Sequence, residues 1–330
     1  MSTALTDFES LRAEAARAAA TNVVVFNVSQ RTQIEITGSD RARFLHGFTS
    51  NDIKALKPGQ GCETFITNLK GKVVAHVFVF CTETSLWLDG TPGQEAAILG
   101  HLGKYVLIDD VQLNPLDGER GELLVSGTLS TDLLQWDGGS TIGSNLTRES
   151  SREPLDIRKV DLFGPAAYLL SMPKDRLQTV KSGLCSLGVP EGSPALLEAM
   201  RIQAGFPQFG TDISDDNLAQ EVGRTRQCVS FTKGCYLGQE TIARLDSIGH
   251  TNRELRKFRF HVASIPPAGT IIQSADGDED LGILTSSAFD PTNTEDVTVV
   301  SLGMHKRSAR TIGTEVRIVL GDHKVIGQVC

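Results

Sequence analysis

The residues best suited to chemistry lie in the stretch KGCYLGQE, from Lys233 to Glu240. It combines the thiol of Cys235 with a cation, an aromatic ring and two glycines, so its backbone can approach a flat, partly anionic ligand closely. The segment ETIARL that follows is rich in helix formers, which places Cys235 shortly before a predicted helix. The helix dipole and Lys233 would favour the reactive thiolate there. The alternative is a glycine turn into a helix, with Cys235 as an inert, buried apolar side chain.

Basic residues cluster around this stretch in the sequence: Arg201, Arg224, Arg226, Lys233 and Arg244. The whole chain is acidic, with 32 Lys and Arg against 40 Asp and Glu and a net charge of −8. A local cationic cluster in an acidic protein suits a ligand that ends in a carboxylate. Ordinary salt bridges with the nearby Glu221 and Glu240 explain the cluster equally well.

The composition argues against several other classes of function. A net negative charge opposes a large nucleic-acid footprint, and no apolar run is long enough to span a bilayer, so no direct contact with nucleic acid or membrane is expected. The six cysteines form no CxxC pair and the seven histidines are scattered, so we predict neither a metal site nor a disulfide framework. Neither GxGxxG nor a P-loop occurs.

Hydrophobic patterning predicts the elements that position these residues. Strands are predicted at residues 22–28, 33–37, 62–68, 72–81, 85–89, 111–113, 121–127 and 167–172. Helices are predicted at the N-terminus, at residues 39–52 with Ser39 as N-cap, over 92–103, within 173–187 and at Pro194–Ala204. The polar segment 137–154 predicts an exposed loop, and short strands with turn-rich links from about residue 250 predict a small β-barrel.

Several segments resemble a single family. RIQAGFPQFGTDI and FTKGCYLGQETIAR are similar to the signature of the YgfZ family, the folate-binding relatives of the glycine-cleavage T-protein. ITGSDRARFLHGFTSND, KPGQGCETFITNLKGKV and PPAGTII…LGILTSSAFDP resemble further parts of that family. The resemblance covers most of the chain, roughly Val23 to Val319, and KGCYxGQE is its most specific motif.

The resemblance implies an α+β fold, a T-protein-like ring of three domains. Two would be ferredoxin-like α/β units and the third a C-terminal β-barrel. The expected boundaries are residues 20–50 plus 120–245 for a discontinuous first domain that carries KGCYLGQE, 51–119 for the second domain and 246–330 for the barrel. A central channel would hold tetrahydrofolate.

The function that the resemblance implies is support of the assembly or repair of iron–sulfur cluster enzymes. Its partners would be iron–sulfur assembly factors or client enzymes, and some family members affect tRNA methylthiolation through such an enzyme. Cys235 matches the functional cysteine of the family. The expected folate contacts are Lys72, Arg201, Arg226, Lys233, Tyr236, Gln239, Glu240 and Arg244. Sparse cysteines and the lack of a secretory signal imply a cytoplasmic location, or an organellar matrix or stroma in a eukaryote.

Three departures from the T-protein pattern bear on catalysis. The T-protein hairpin carries an aspartate that assists aminomethyl transfer to folate, whereas Ala75 and His76 stand in this region here. A methyl group cannot balance a developing positive charge, and a histidine does so poorly. Gln203 replaces the glutamate of RIEAG, and a pteridine-binding carboxylate is missing near residues 164–170. Aminomethyltransferase activity is therefore not expected. The alternatives left open are a folate-dependent aminomethyltransferase or demethylase, and a non-catalytic scaffold subunit.

Overall fold

In the part of the chain that the structure describes, three β-sheets organise the fold: two open sheets of five strands each and one closed barrel. The computed structural model describes residues 3–116, 118–138, 145–150, 153–164, 166–293 and 296–330. In these ranges the strands are β1 (Val24–Asn27), β2 (Thr32–Thr37), β3 (Gly61–Thr67), β4 (Val73–Cys81), β5 (Leu86–Gly90), β6 (Gln112–Pro115), β7 (Arg120–Ser126), β8 (Asn145–Ser150), β9 (Glu153–Val160), β10 (Ala167–Pro173), β11 (Arg253–Phe260), β12 (Ile271–Ser274), β13 (Asp280–Phe289), β14 (Val299–Lys306), β15 (Glu315–Leu320) and β16 (His323–Val329). The helices are α1 (Thr3–Thr21), α2 (Arg41–His46), α3 (Glu95–Leu102), α4 (Ser130–Leu133), α5 (Leu177–Ser186), α6 (Pro194–Ala204), α7 (Thr225–Cys228) and α8 (Gln239–Ser247).

The first sheet has the order β1-β7-β10-β9-β8, with antiparallel neighbours throughout. Its side chains alternate between two cores: Leu124 is buried on one face and Val125 on the other. The prediction of an exposed loop over 137–154 is wrong where β8 and the start of β9 form a hairpin. Backbone pairing at a sheet edge does not require apolar side chains, so the polar sequence concealed this strand. Residues 139–144 and 151–152 lie outside the described ranges.

The second sheet has the order β3-β4-β5-β2-β6 and packs against α2 and α3. Strand β2 contributes Ile34 and Ile36, both fully buried in the core of this sheet. The predicted domain division assigned residues 20–50 to the first domain, but β2 pairs with β5 and β6. The chain therefore crosses from the first sheet to the second between β1 and β2, because the two isoleucines find their apolar partners there.

Helix α2 differs from the helix predicted over residues 39–52. It begins at Arg41 after Asp40, and the Ser39 hydroxyl, predicted as the N-cap, instead donates to Asp110 Oδ2 at 2.8 Å. The helix ends at His46 because the following residues join the sheet: the Ser50 amide donates to the Phe65 carbonyl at 2.9 Å. This early end exposes the carbonyls of the turn after α2 to other partners.

The C-terminal barrel is confirmed. Its strands close in the order β11-β14-β13-β12-β15-β16 around an apolar interior that includes Phe258 and Phe260. Closure removes free strand edges from this part of the molecule. Among the helices in the described ranges, none has the length and apolarity needed to cross a membrane.

Candidate functional site

The KGCYLGQE segment is pinned to the end of α2 and to β3. The Leu237 amide donates to the Gly47 carbonyl at 2.8 Å, and the Thr67 hydroxyl donates to the Leu237 carbonyl at 2.6 Å. Two residues before Leu237, Cys235 is exposed to solvent as a free thiol. The alternative of a buried cysteine at this position is therefore wrong. Helix α8 begins four residues later, at Gln239, as the sequence predicts.

Gly238 is required for the close approach of this segment to the β3–β4 hairpin. Its φ is 84°, in the left-handed region that favours glycine. A Cβ at this position would lie 2.3 Å from the Asn68 carbonyl oxygen and 2.8 Å from the Gly71 Cα. The two backbones therefore touch directly, which fixes the loop that carries the thiol against the second sheet.

Lys233 anchors the same loop from inside. Its ammonium donates to the carbonyls of His46, Thr49 and Asn51 at 2.7, 2.6 and 2.9 Å. The ammonium also lies 4.6 Å from the centre of the Tyr236 ring, a cation–π contact. Burial lowers the pKa of Lys233 to about 8 and raises that of Tyr236 to about 12. All three ammonium donors are used within the protein, so Lys233 holds the loop rather than facing a ligand.

The other predicted folate contacts on this side of the molecule do not converge on one cavity. Glu240 and Arg244 line an open groove of about 450 Å³ beside the end of α8. Lys72 pairs with Asp216 at 2.7 Å, and Arg226 is exposed on α7. Gln239 occupies the first position of α8.

A cavity of about 220 Å³, partly open to solvent, lies between the two open sheets and α6. Its walls are formed by Val28, Gln30, Arg31, Thr91, Pro92, Leu124, Leu162, Phe163, Leu197, Glu198, Arg201, Phe206, Pro207 and Gln208. Of the eight predicted folate contacts, all of which lie in the described part of the chain, Arg201 alone lines this cavity. The cavity and the thiol are therefore separate regions of the structure.

The sequence positions Arg201 through well-formed helix caps, and the prediction of α6 at Pro194–Ala204 is confirmed. The Ser193 hydroxyl accepts from the Leu196 amide at 3.2 Å, and Gly205 ends the helix at φ 74°. The Arg201 guanidinium then donates to Glu198 and Asp212, each at 2.6 Å. These pairs hold its planar group at the cavity wall and neutralise its charge.

A buried polar cluster, formed by Glu63, His76, Arg224 and Cys228, lies between the cavity and the thiol loop. Glu63 accepts from His76 Nε2 at 2.6 Å, from Arg224 through both oxygens, and from the Cys228 thiol at 3.2 Å. The His76 ring stacks on Phe206 of the cavity wall, with ring centroids 5.2 Å apart. On the opposite side, the Cys228 carbonyl accepts from the Ser50 hydroxyl at 2.6 Å, next to the carbonyls that Lys233 holds.

Charge compensation determines the protonation states in this polar cluster. Burial alone would raise the pKa of Glu63, but the hydrogen bonds from Arg224 and His76 lower it to about 2. Burial lowers the pKa of His76 and raises that of Cys228. Glu63, His76 and Cys228 present possible metal ligands within 4.8 Å of one another, yet Arg224 already donates to both Glu63 oxygens. The polar cluster is therefore interpreted as a buried hydrogen-bond network rather than a metal centre.

The region that carries the T-protein aspartate presents no free acid here. Ala75 is fully buried in the core of the second sheet, and His76 is committed to Glu63. Sequence reasoning did not find this cluster, nor the cavity residues Arg31 and Phe206. The sequence names Arg224 in the basic cluster and places Phe206 within RIQAGFPQFGTDI, but it does not show their contacts. These residues come from separate elements that meet only when the two sheets pack.

Comparison with known proteins agrees with this architecture. The profile described as the GCVT N-terminal domain matches residues 5–233, about two thirds of the chain. The chain belongs to this family. The GCVT fold is shared with the glycine cleavage system aminomethyltransferase T of Bartonella henselae, with a TM-score of 0.84 at 19% identity over 97% of this chain and 88% of that one. The predicted fold class is thereby confirmed.

Curated relatives of this GCVT protein align over most of its length. A chloroplastic protein of Arabidopsis thaliana described as a putative transferase is 27% identical over 90% of this chain and 68% of its own. The aminomethyltransferase of Caldanaerobacter subterraneus is 24% identical over 90% of this chain and 80% of its own. The mitochondrial aminomethyltransferase of Solanum tuberosum is 25% identical, over 93% and 78% respectively. These relatives support the T-protein superfamily and leave the YgfZ subfamily as a prediction.

Proposed function

We propose that this protein binds tetrahydrofolate and supports the assembly or repair of iron–sulfur cluster enzymes through Cys235. One observation carries the proposal: the exposed thiol sits on a rigid loop, while the hairpin offers buried Ala75 and committed His76 where transfer chemistry needs a free acid. The protein then contributes thiol chemistry and ligand binding, in place of aminomethyl transfer.

The cavity lined by Arg201 is the folate-binding part of the proposal. Its volume of about 220 Å³ is below the range of roughly 300–1,000 Å³ typical of whole-ligand pockets, so it suits the bicyclic pteridine while the tail extends outward. Phe163 and Phe206 supply apolar faces, and Arg31, Arg201 and Gln208 supply polar groups at its walls. The aminomethyltransferase relatives support a folate as the ligand class.

Exposed apolar residues after α3 and on the β3–β4 hairpin form the proposed docking surface for an iron–sulfur assembly factor or client enzyme. Leu107 and Ile108 are 83% and 97% exposed, and the hairpin residue Leu69 is 74% exposed. Their neighbour Tyr105 contacts Phe48, whose carbonyl accepts from the Thr67 amide at 3.1 Å beside the loop anchor. Leu107 and Ile108 are adjacent in the chain, and contiguous exposed apolar surface is typical of an interaction site.

Three other parts of the proposal follow from the sequence and the relatives. The location is cytoplasmic, or an organellar matrix or stroma, and the chloroplastic relative supports an organelle. A role that reaches tRNA methylthiolation runs through a client enzyme, without direct contact to nucleic acid. The competing functions are an aminomethyltransferase or demethylase, which the named relatives favour, and a scaffold subunit without a ligand.

Two measurements test the proposal. Titration of the purified protein with tetrahydrofolate by calorimetry is expected to give saturable binding that Cys235→Ala leaves unchanged. In a deletion strain, Cys235→Ala is expected to lose complementation, whereas Cys185→Ala, at another exposed cysteine, keeps it.

The opposite outcomes assign the competing functions. Enzyme-like aminomethyl transfer with the remaining glycine-cleavage proteins would replace the proposal with a transferase. No folate binding together with full complementation by Cys235→Ala would leave a scaffold.

A further inference from the structure

Arg31 is a cavity residue whose guanidinium still has hydrogen-bond donors to offer. It lies in the turn between β1 and β2, where its amide donates to the Val28 carbonyl at 3.0 Å, and its side chain is 11% exposed. Its Nε donates to Asp89 Oδ1 at 2.6 Å. Among the described residues neither Nη group has a hydrogen-bond partner, and neither is closed off from accessible space. Because Arg31 lines the cavity, these two donor groups are available to a ligand there.

Arg201, the other arginine of the cavity wall, has no donors left. Its Nε and Nη2 donate to Glu198 at 2.8 and 2.6 Å, and Nη2 also donates to the Ser286 hydroxyl at 3.1 Å. Its Nη1 donates to Asp212 and to the Phe206 carbonyl, each at 2.6 Å. All five N–H groups of this guanidinium are therefore used within the protein. Recognition of a ligand by an arginine in this cavity is left to the arginine of the β1–β2 turn.

A buried network of charged groups orients Arg31 from behind. Asp89 of β5 lies in the second sheet, and Glu122 of β7 and Arg158 of β9 lie in the first, so the network joins the two sheets. Arg158 Nη1 lies 3.8 Å from Asp89 Oδ2. Burial and the neighbouring Asp89 raise the pKa of Glu122 well above its usual value, which favours a single negative charge on the two carboxyls. Asp89 then compensates Arg31 only in part, because it also lies beside Arg158.

A planar ligand with a ring carbonyl fits these donors. The cavity offers aromatic faces at Phe163 and Phe206, against which a flat ring can pack. The pteridine of a folate carries one ring carbonyl, at C4, and a carbonyl oxygen can accept from two donors. Guanine, another fused bicycle with a ring carbonyl, is commonly recognised in this way by the guanidinium of an arginine.

We propose that Arg31 orients the pteridine in the cavity by donating from its two Nη groups to the C4 carbonyl oxygen, and so selects 4-oxo pteridines over their 4-amino analogues. This inference rests on the proposed function, because it takes a folate as the ligand of the cavity. A 4-amino group would turn N–H donors toward the guanidinium, so the acceptor is lost and donors face donors. Arg31 is thus a specificity residue, and its role requires no contact with Cys235.

Calorimetric titration with tetrahydrofolate and with its 4-amino analogue, tetrahydroaminopterin, tests the inference in oxygen-free buffer. The original protein is expected to bind tetrahydrofolate at least about tenfold more tightly than the analogue. Arg31→Gln places an amide nitrogen where Nε stood, so it can still donate to Asp89, but it removes both Nη groups. This variant should reduce the preference to about twofold or less.

Arg43→Gln is the matched control. Arg43 also pairs with an aspartate, since its Nη2 lies 2.6 Å from Asp109 Oδ1, but its side chain is 61% exposed and it does not line the cavity. The Arg43→Gln variant should keep both affinities and the preference of the original protein.

The ratio of the two affinities separates recognition from structure, because a purely structural role of Arg31 would weaken both ligands equally. The inference is overturned if the original protein binds the two compounds equally tightly, or if Arg31→Gln, with its fold verified by thermal unfolding, keeps the preference. If Arg31→Gln does not fold, Arg31→Lys decides by the same ratio, since it keeps a cation beside Asp89 and lacks the planar pair of donors. Binding of neither compound to the original protein would refute the proposed folate binding, and the inference with it.

Discussion

The cavity lined by Arg201 and the Cys235 loop differ in exposure and in how their polar groups are used. The cavity is lined by separate parts of the chain, and its Arg201 is neutralised by Glu198 and Asp212. In the loop, the Cys235 thiol is exposed to solvent, and the Lys233 ammonium binds backbone carbonyls that hold the loop in place. In the proposed function, the folate site and the thiol lie in separate regions, so a change in one region can leave the other intact.

The polar cluster around Glu63 connects the two regions, because it contacts Phe206 on one side and the Ser50 backbone region on the other. Breaking this connection is expected to have the largest effect. Arg224→Ala leaves the Glu63 carboxylate buried without its cation and should lower the free energy of unfolding by about 3–5 kcal/mol in urea denaturation. Arg226→Ala, exposed on the same short helix, should change it by less than about 0.5 kcal/mol. If Arg224→Ala lowers the free energy of unfolding by less than about 1 kcal/mol, the cluster does not connect the two regions structurally.

Lowering the pH should destabilise the same polar cluster, because Glu63 becomes protonated. The folded-state pKa of Glu63 is about 2 against an ordinary 4.5, so its stabilisation is complete above pH 4.5 and is lost as the pH falls toward 2. Between pH 4.5 and 2, the free energy of unfolding should fall by about 3 kcal/mol more in the original protein than in Glu63→Gln. Denaturation curves at several pH values measure this difference. The exposed Glu83→Gln should retain the original pH dependence, and an equal loss in all three proteins would contradict the assignment.

Gly238 tests the rigidity of the loop without touching the cavity. Gly93 is the matched control, since its φ of 79° is similar but a Cβ there meets nothing within 4 Å. Gly93→Ala should lower the free energy of unfolding by about 1 kcal/mol through backbone strain. Gly238→Ala adds a clash with the Asn68 carbonyl and should lower it by about 2–3 kcal/mol. Similar values for the two variants, measured by thermal unfolding, would mean that the loop adapts easily.

Phe163 tests whether tetrahydrofolate binds in the cavity rather than at the thiol loop. Removing its ring with Phe163→Ala should weaken tetrahydrofolate binding about tenfold, or about 1.4 kcal/mol, in a calorimetric titration. Phe231→Ala, on the segment before Cys235 and outside the cavity lining, should leave that affinity unchanged. If Phe231→Ala weakens binding and Phe163→Ala does not, the folate site lies at the thiol loop.

Local signals were sufficient for much of the fold. Ser193, Pro194 and Gly205 define α6 through cap chemistry that acts within a few residues, and the alternating strands of the barrel were recognisable for the same reason. Ser39 failed as an N-cap because its hydroxyl found Asp110, 71 residues away in sequence. Strand β8 was missed because its stabilising partner is the backbone of β9.

The amino-acid sequence alone determined the KGCYLGQE motif, the helix after it and the membership of the T-protein superfamily, because short segments and family signatures encode these directly. Tertiary structure decided what each residue does. It turned Lys233 into a loop anchor, placed Arg201 alone of the predicted contacts at the cavity, and held Arg31 on Asp89 at the wall of the same cavity. These roles depend on contacts between distant segments, and their distances and burial exist only after the two sheets and α8 have packed.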